Sequence, residues 1–290
     1  MEEVPTVITL GIDNHKTECE SWQAGDGIYA IRCPGFLPGP GRLPGWGYVV
    51  SYLVLGADKA LLIDTGFGLS DLGAYVRTLT DLPLTVMNTH VHPDHSGGNG
   101  QFDTVYVGEH ETPETDDGVL FYNVPGHRDA CGAVKRGGSY RFRHLHDGER
   151  IDLGGRVLRC VEIPGHTKGS MALFDENTRL LIAGDAILKR VFYGAGVPLS
   201  VYRAALEKTK QLPIRDILSA HWPEPLGADF IDKMLRLIDA FDPAQAERAA
   251  WGEPGMASRD MRMFCVGRDF DDPEFVALSF FMDQVDQIMR

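Results

Sequence analysis

Four side chains able to bind a metal crowd into six positions at His90-Val91-His92-Pro93-Asp94-His95, and Ser96-Gly97-Gly98-Asn99 follows at once. His90 and His92 are two apart, a spacing that in extended chain turns both rings to one side, so both can grip one ion. Pro93 disfavours a continuing hydrogen-bonded ladder and starts a turn, which aims Asp94 and His95 at a second spot nearby. The spacing therefore predicts two ions side by side. Gly97 and Gly98 are expected to let the backbone pass close to those ions, where a side chain would collide.

Further along the chain stand Leu62-Ile63-Asp64-Thr65-Gly66, Pro164-Gly165-His166-Thr167-Lys168-Gly169-Ser170, Ala183-Gly184-Asp185 and Ser219-Ala220-His221. Taken with the H-x-H-x-D-H run, the sequence from about Gly47 to His221 resembles the hydrolases of the metallo-β-lactamase superfamily, of which the hydroxyacylglutathione hydrolases (glyoxalase II) are the best-known relatives. The resemblance implies an α/β (α+β) architecture: a four-layer αβ/βα sandwich of two mixed sheets flanked by helices, with the metals at the sheets' shared edge. It implies that His90, His92 and His166 hold one ion, that Asp94, His95 and His221 hold the other, and that Asp185 bridges them. An aspartate at a strand end, as Asp64 is, could itself ligate; the resemblance instead puts it behind the ions, accepting from a ligand imidazole.

Five imidazoles and two carboxylates without a thiolate suit zinc, and iron or manganese are also tolerated. Two divalent ions roughly 3.5–4 Å apart can share a water and bring its pKa towards about 7. The expected activity is that of a dinuclear metal-dependent hydrolase, a metal-bridging hydroxide attacking the carbonyl of a small-molecule thioester, ester or lactone. Asp94 is the natural acceptor for the nucleophile's proton. Tyr193 is a candidate donor to the oxyanion, with a phenol packed into the core as the equal alternative. Three rival readings stand beside hydrolysis of this kind. They are a mononuclear-iron sulfur dioxygenase of the same superfamily, a β-lactamase, and a non-catalytic metal-binding scaffold. Many true β-lactamases of the superfamily carry a cysteine or a non-ligating residue where Asp185 stands, and are exported.

Lys and Arg number 28 against 41 Asp and Glu, a net charge of -13 over 290 residues, and such a surface repels phosphate backbones and anionic lipid. Nucleic-acid and membrane partners are disfavoured, leaving a small-molecule substrate. Lys135, Arg136, Arg141 and Arg143 read as solvated loop charges or a small-anion contact. The acidic start of the chain lacks an apolar h-region and there is no long apolar run, which points to the cytoplasm. Cys19, Cys33, Cys131, Cys160 and Cys265 are scattered and form no C-x-x-C pair, so they suit a reducing compartment and argue against a disulfide framework.

Hydrophobic patterning supplies the carriers. Strands are expected at Gly27 to Cys33, Tyr48 to Leu55, Lys59 to Ile63, Leu84 to Asn88, Arg156 to Ile163, Met171 to Phe174, Arg179 to Ile182 and Ile214 to Leu218. Helical spacing runs through Leu69 to Leu82, Val201 to Leu212 and the stretch from Phe230 to Ile238. Residues 1–225 are expected to form the catalytic domain, with an insertion at about 108–143 covering the site and a helical extension at 226–290 packed on the same domain. That tail is read as packing or dimer contact, which leaves a homo-oligomer open. His110 and His127 in the insertion are read as bystanders, and His144 and His146 beyond it as half-exposed strand residues.

Overall fold

Along Met171–Asp175 and Leu180–Gly184 every residue is buried, and neighbours along each strand enter different cores. Met171, Leu173, Leu180 and Ile182 enter one apolar cluster, while Ala172, Phe174, Leu181 and Ala183 enter another. A strand apolar on both faces must be covered on both, and this dictates layers.

The computed structural model describes residues 19–34, 48–68, 70–111, 140–193, 196–248 and 260–290. The first sheet runs in order through β1 (Glu20–Gly25), β2 (Ile28–Pro34), β3 (Tyr48–Leu55), β4 (Ala60–Ile63), β5 (Leu84–Met87), β6 (Thr104–Gly108) and β7 (Arg141–Leu145). Its first four strands pair antiparallel and the rest parallel. The second sheet contains β8 (Arg150–Asp152), β9 (Val157–Glu162), β10 (Met171–Asp175), β11 (Leu180–Gly184), β13 (Asp216–Ser219) and β14 (Leu226–Gly227), in the order β14-β13-β11-β10-β9-β8. Only its β11–β13 pair is parallel.

The two sheets face each other across Val50, Tyr52, Leu61, Ile63 and Met87 on one side and Leu158, Cys160, Leu173, Ile182 and Leu218 on the other. The helix Leu72–Leu79 covers the outer face of the first sheet, burying Leu72 and Val76 against Leu53, Leu62 and Val86. Asp71 starts that helix, its carboxylate accepting from Ala74 N at 2.8 Å. Helices Leu199–Thr209 and Phe230–Asp239 cover the outer face of the second sheet. The order is therefore helix, sheet, sheet, helix.

Two expectations are corrected here. The tail is not helical throughout: between helix Phe230–Asp239 and the short helix Val285–Ile288, β16 (Met261–Val266) and β17 (Val276–Phe281) join β15 (Glu247–Arg248) and β12 (Arg190–Tyr193) in a third sheet, ordered β12-β17-β16-β15. All six residues of β17 are buried, and a short apolar run with no exposed face gives periodicity nothing to read. The cysteines are not all free either, because Cys19 and Cys33 form a disulfide with Cα atoms 4.2 Å apart. The β1–β2 register pairs Glu20 with Arg32, so the next residues outward, 19 and 33, face each other. With β1 unrecognised in the sequence, that opposition was hidden. Residues 35–47, 112–139 with His127, Lys135 and Arg136, and 249–259 lie outside the described residues.

Candidate metal centre

The parallel register of β4 with β5 sets Ile63 opposite Met87, and that of β11 with β13 sets Ile182 opposite Leu218. The chain leaving each of these strands reaches one common edge, with Asp64 after β4, His90 after β5, Asp185 after β11 and His221 after β13. Backbone bonds stitch the two sheets there: Met171 N donates to Thr89 O at 2.8 Å and Val50 N to Ala220 O at 2.8 Å. Tyr52 adds its hydroxyl to Ser219 O at 2.8 Å.

All seven side chains singled out as ligands meet at this edge. His166 Nε2 lies 3.1 Å from His90 Nε2 and 2.9 Å from His92 Nδ1. At the other end Asp94 Oδ2 is 3.3 Å from His221 Nε2 and 3.6 Å from His95 Nε2. Asp185 stands between, Oδ2 3.6 Å from His166 Nε2 and 3.3 Å from His221 Nε2, Oδ1 3.4 Å from His95 Nε2. Three overlapping groups have donor atoms within 4.8 Å of one another: His90/His92/His166, His90/His95/Asp185 and Asp94/His95/His221. His92 and Asp94 keep partial exposure, while His90, His95 and His166 are buried, so the cluster opens on the His92/Asp94 side.

The rings are held from behind. His166 Nδ1 donates to Phe192 O at 2.6 Å, and His95 Nδ1 to Asp64 Oδ2 at 2.8 Å, so both rings turn Nε2 inward. Anchoring the far nitrogen fixes ring orientation and tautomer, as metal-binding imidazoles require. Asp64 adopts the left-handed region at φ 64°, which aspartate tolerates because its carboxylate bonds locally. Its Oδ1 accepts from Thr89 N at 2.7 Å and its Oδ2 from Thr89 Oγ1 at 2.8 Å. Asp64 thus sits behind the ligands and not among them.

A divalent cation suits these residues. His95 Nε2 and Asp185 Oδ1 are buried and neither makes a hydrogen bond among the described residues, which in a finished interior costs about 1–3 kcal/mol per group. Three ring nitrogens aimed at one another cannot all be satisfied by protons, whereas a cation satisfies them together. The electrostatics agree. Burial pushes His90 well below the ordinary imidazole range and His166 down to about 4, leaving neutral rings that can donate a lone pair. At the other end burial also works against the charged imidazole, but Asp185 and Asp94 outweigh it and hold His221 up at about 10. Burial opposes ionisation of Asp94 as well, and the facing His95 and His221 still bring it to about 2. The carboxylates draw positive charge to their end.

Tyr193 does not join the cluster. It is fully buried against Tyr202, ring centroids 5.6 Å apart, and its hydroxyl donates to Pro198 O at 3.3 Å. Burial pushes that phenol far up. The core alternative holds, because β12 offers the Phe192 carbonyl to the site and turns the next side chain into the helical core. Gly98 also has a different reason from the one expected. A Cβ there would lie 2.5 Å from Thr65 O, so the glycine serves loop-against-loop packing. His110, His144 and His146 are exposed, His110 against Glu162 and His146 against Glu109, apart from the cluster.

Buried residues assigned no role from the sequence complete the site. Asn88 Nδ2 donates to His95 O, Asn99 Nδ2 to Asn88 Oδ1 and Thr65 Oγ1 to Asn99 Oδ1, at 2.7–2.8 Å, fixing the turn that presents His95. Glu111 is buried beside both histidine loops. Asn99 closes the glycine run that draws attention in the sequence, but nothing near Glu111 distinguishes it from a surface acid.

The family model for the metallo-beta-lactamase superfamily matches residues 44–221. The acyl-coenzyme A thioesterase MBLAC2 of Homo sapiens is 33% identical over 186 residues, covering 56% of this chain and 64% of that protein. A hydroxyacylglutathione hydrolase of Hyphomonas neptunium is 26% identical over 206 residues, covering 68% of this chain and 69% of the other. Among solved structures, a metallo-beta-lactamase family protein of Thermus thermophilus superposes with a TM-score of 0.54 at 25% identity, over 74% of this chain and 80% of that one. The chain spans just under two thirds of the length of the human thioesterase. The facing mixed sheets, the outer helices and these matches agree on one fold, and the chain belongs to the metallo-beta-lactamase superfamily.

Proposed function

We propose that the chain is a dinuclear metal-dependent hydrolase of small-molecule thioesters, with esters and lactones as further substrates. The observation that carries this reading is Asp185, whose Oδ2 lies within 3.6 Å of His166 Nε2 and 3.3 Å of His221 Nε2, between a three-imidazole group and an Asp/His group. His90, His92 and His166 would hold one divalent cation, Asp94, His95 and His221 the other, and Asp185 would touch both; zinc suits the donors best. Bound there, such cations acidify water and polarise a carbonyl. The matched relatives named as an acyl-coenzyme A thioesterase and a hydroxyacylglutathione hydrolase both support a thioester as substrate.

The chain's own residues do the rest. Asp64, Phe192 O and the Asn88–Asn99–Thr65 network hold the rings and the turn still, so little reorganisation accompanies reaction. Asp94, partly exposed on the open side, takes a proton from the attacking water and returns it to the departing sulfur. Water's oxygen ends on the acyl carbon as the carbon–sulfur bond breaks, giving a thiol and a carboxylic acid whose remaining proton passes to solvent to leave the carboxylate.

The test is a panel of acyl-coenzyme A and S-acylglutathione thioesters, lactones and aryl esters, with metal content measured on the same sample. Two ions per chain, thioester turnover and its loss on chelation support the reading. Undiminished turnover in metal-stripped protein would refute it, as would a single iron with oxygen uptake.

A further inference from the structure

Glu111 lies three residues beyond the end of β6 and is 4% exposed, yet its oxygens reach two separate loops. Oε2 accepts from Val91 N at 3.1 Å, and Val91 is the residue between His90 and His92. Oε1 accepts from Gly169 N at 3.1 Å, three residues past His166. The backbone around it is built for close approach: Glu111 N donates to Gly108 O at 2.9 Å, closing a turn that lies on the His166 loop. A Cβ at Gly169 would meet Glu111 N and His110 C at 2.6 Å, and one at Gly108 would meet Gly169 O at 2.4 Å. Both positions therefore tolerate only glycine without moving a backbone.

We propose that Glu111 is a positioning residue for the three-imidazole end of the site, its carboxylate clamping the loop of His90 and His92 to the loop of His166. The two loops come from different sheets, and His166 Nε2 must come to within 2.9–3.1 Å of the other two ring nitrogens. One carboxylate with two fixed acceptors sets that distance more directly than packing does, because both bonds end on backbone next to the ligands. An amide in its place offers one acceptor and one donor, and the donor faces an N–H. This inference rests on the reading that the imidazoles hold a cation.

The experiment is a cobalt(II) titration of the metal-stripped chain, read by visible absorption and competition with a chelator, for wild type, Glu111→Gln, Glu111→Ala and Gly169→Ala. Thermal melts of the same metal-stripped proteins run alongside. Glu111→Gln is expected to weaken cobalt binding about 10- to 100-fold, the range for losing a partner that orients ligands, and to change the cobalt spectrum while the metal-stripped melt stays near wild type. Gly169→Ala, which presses on the same contact from the other side, should shift the spectrum too. Should Glu111→Ala fold poorly, the Gln variant decides. A lowered metal-stripped melt with wild-type cobalt affinity and spectrum in the Gln variant would make Glu111 an ordinary structural acid and overturn the proposal. No cobalt uptake by the wild-type chain would instead sink the metal-centre reading, and this one with it.

Discussion

The two ends of the candidate site are built from similar rings and behave oppositely. At the His90/His92/His166 end the groups behind the rings are neutral, Phe192 O at His166 and Thr89 Oγ1 3.2 Å from His90 Nδ1, and burial outweighs the pull of Asp185, so His90 and His166 stay uncharged. At the His95/His221 end Asp94, Asp185 and Asp64 surround the rings, and the same burial is overridden. Imidazole as a residue type therefore does not fix a subsite's character. The carboxylates around the rings do, and they leave a neutral pocket beside an anionic one with Asp185 shared.

The largest expected effect comes from removing that shared group. Asp185→Ala should abolish thioester turnover and bring metal content below two per chain; retained turnover would break the comparison, since the ends would then work separately. Next, His166→Ala and His221→Ala should each release one ion while leaving the other end able to bind, measured as metal per chain after dialysis. Loss of both ions from either variant would mean the ends are one cooperative site. A smaller effect is expected for Asp64→Asn, which keeps shape but removes the charge behind His95. Metal affinity should fall about 10- to 100-fold at the carboxylate end, with little change in binding to the three imidazoles. Smallest is Tyr193→Phe, which deletes one 3.3 Å bond to Pro198 O. It should cost about 1 kcal/mol or less in a denaturant melt and leave kcat unchanged.

The cluster of candidate ligands was legible because its spacing is chemical. Two histidines two apart, and then a carboxylate and a histidine across a proline, carry their geometry in a six-residue window, and the later ligands each follow a strand and a small-residue turn. The layers were legible where apolar residues alternate or run at helical spacing. What escaped was non-local. Phe275 to Met282 yields a strand with both edges paired, by Met261–Val266 on one side and by Arg190–Tyr193, more than 80 residues away, on the other. The Cys19–Cys33 bond needed the β1–β2 register, and its presence removes the scattered cysteines as support for a reducing compartment. Tyr193 stands eight residues after a ligand, yet strand direction, not proximity in sequence, decides which way its ring turns. Glu111 looks like any acid after a strand until two loops from different sheets fold around it.

The stitching of the two sheets at their common edge has a thermodynamic consequence. His90, His92, Asp94 and His95 come from one sheet and His166, Asp185 and His221 from the other, so neither half alone offers both complete donor groups. An ion held only when the halves are docked would act as a mass-action brace on the native state, adding about 2.7 kcal/mol at one hundred times its dissociation constant. Resistance to unfolding would then become a gauge of metal supply: the same polypeptide would be sturdier where the ion is plentiful and would loosen first along this seam where it is scarce.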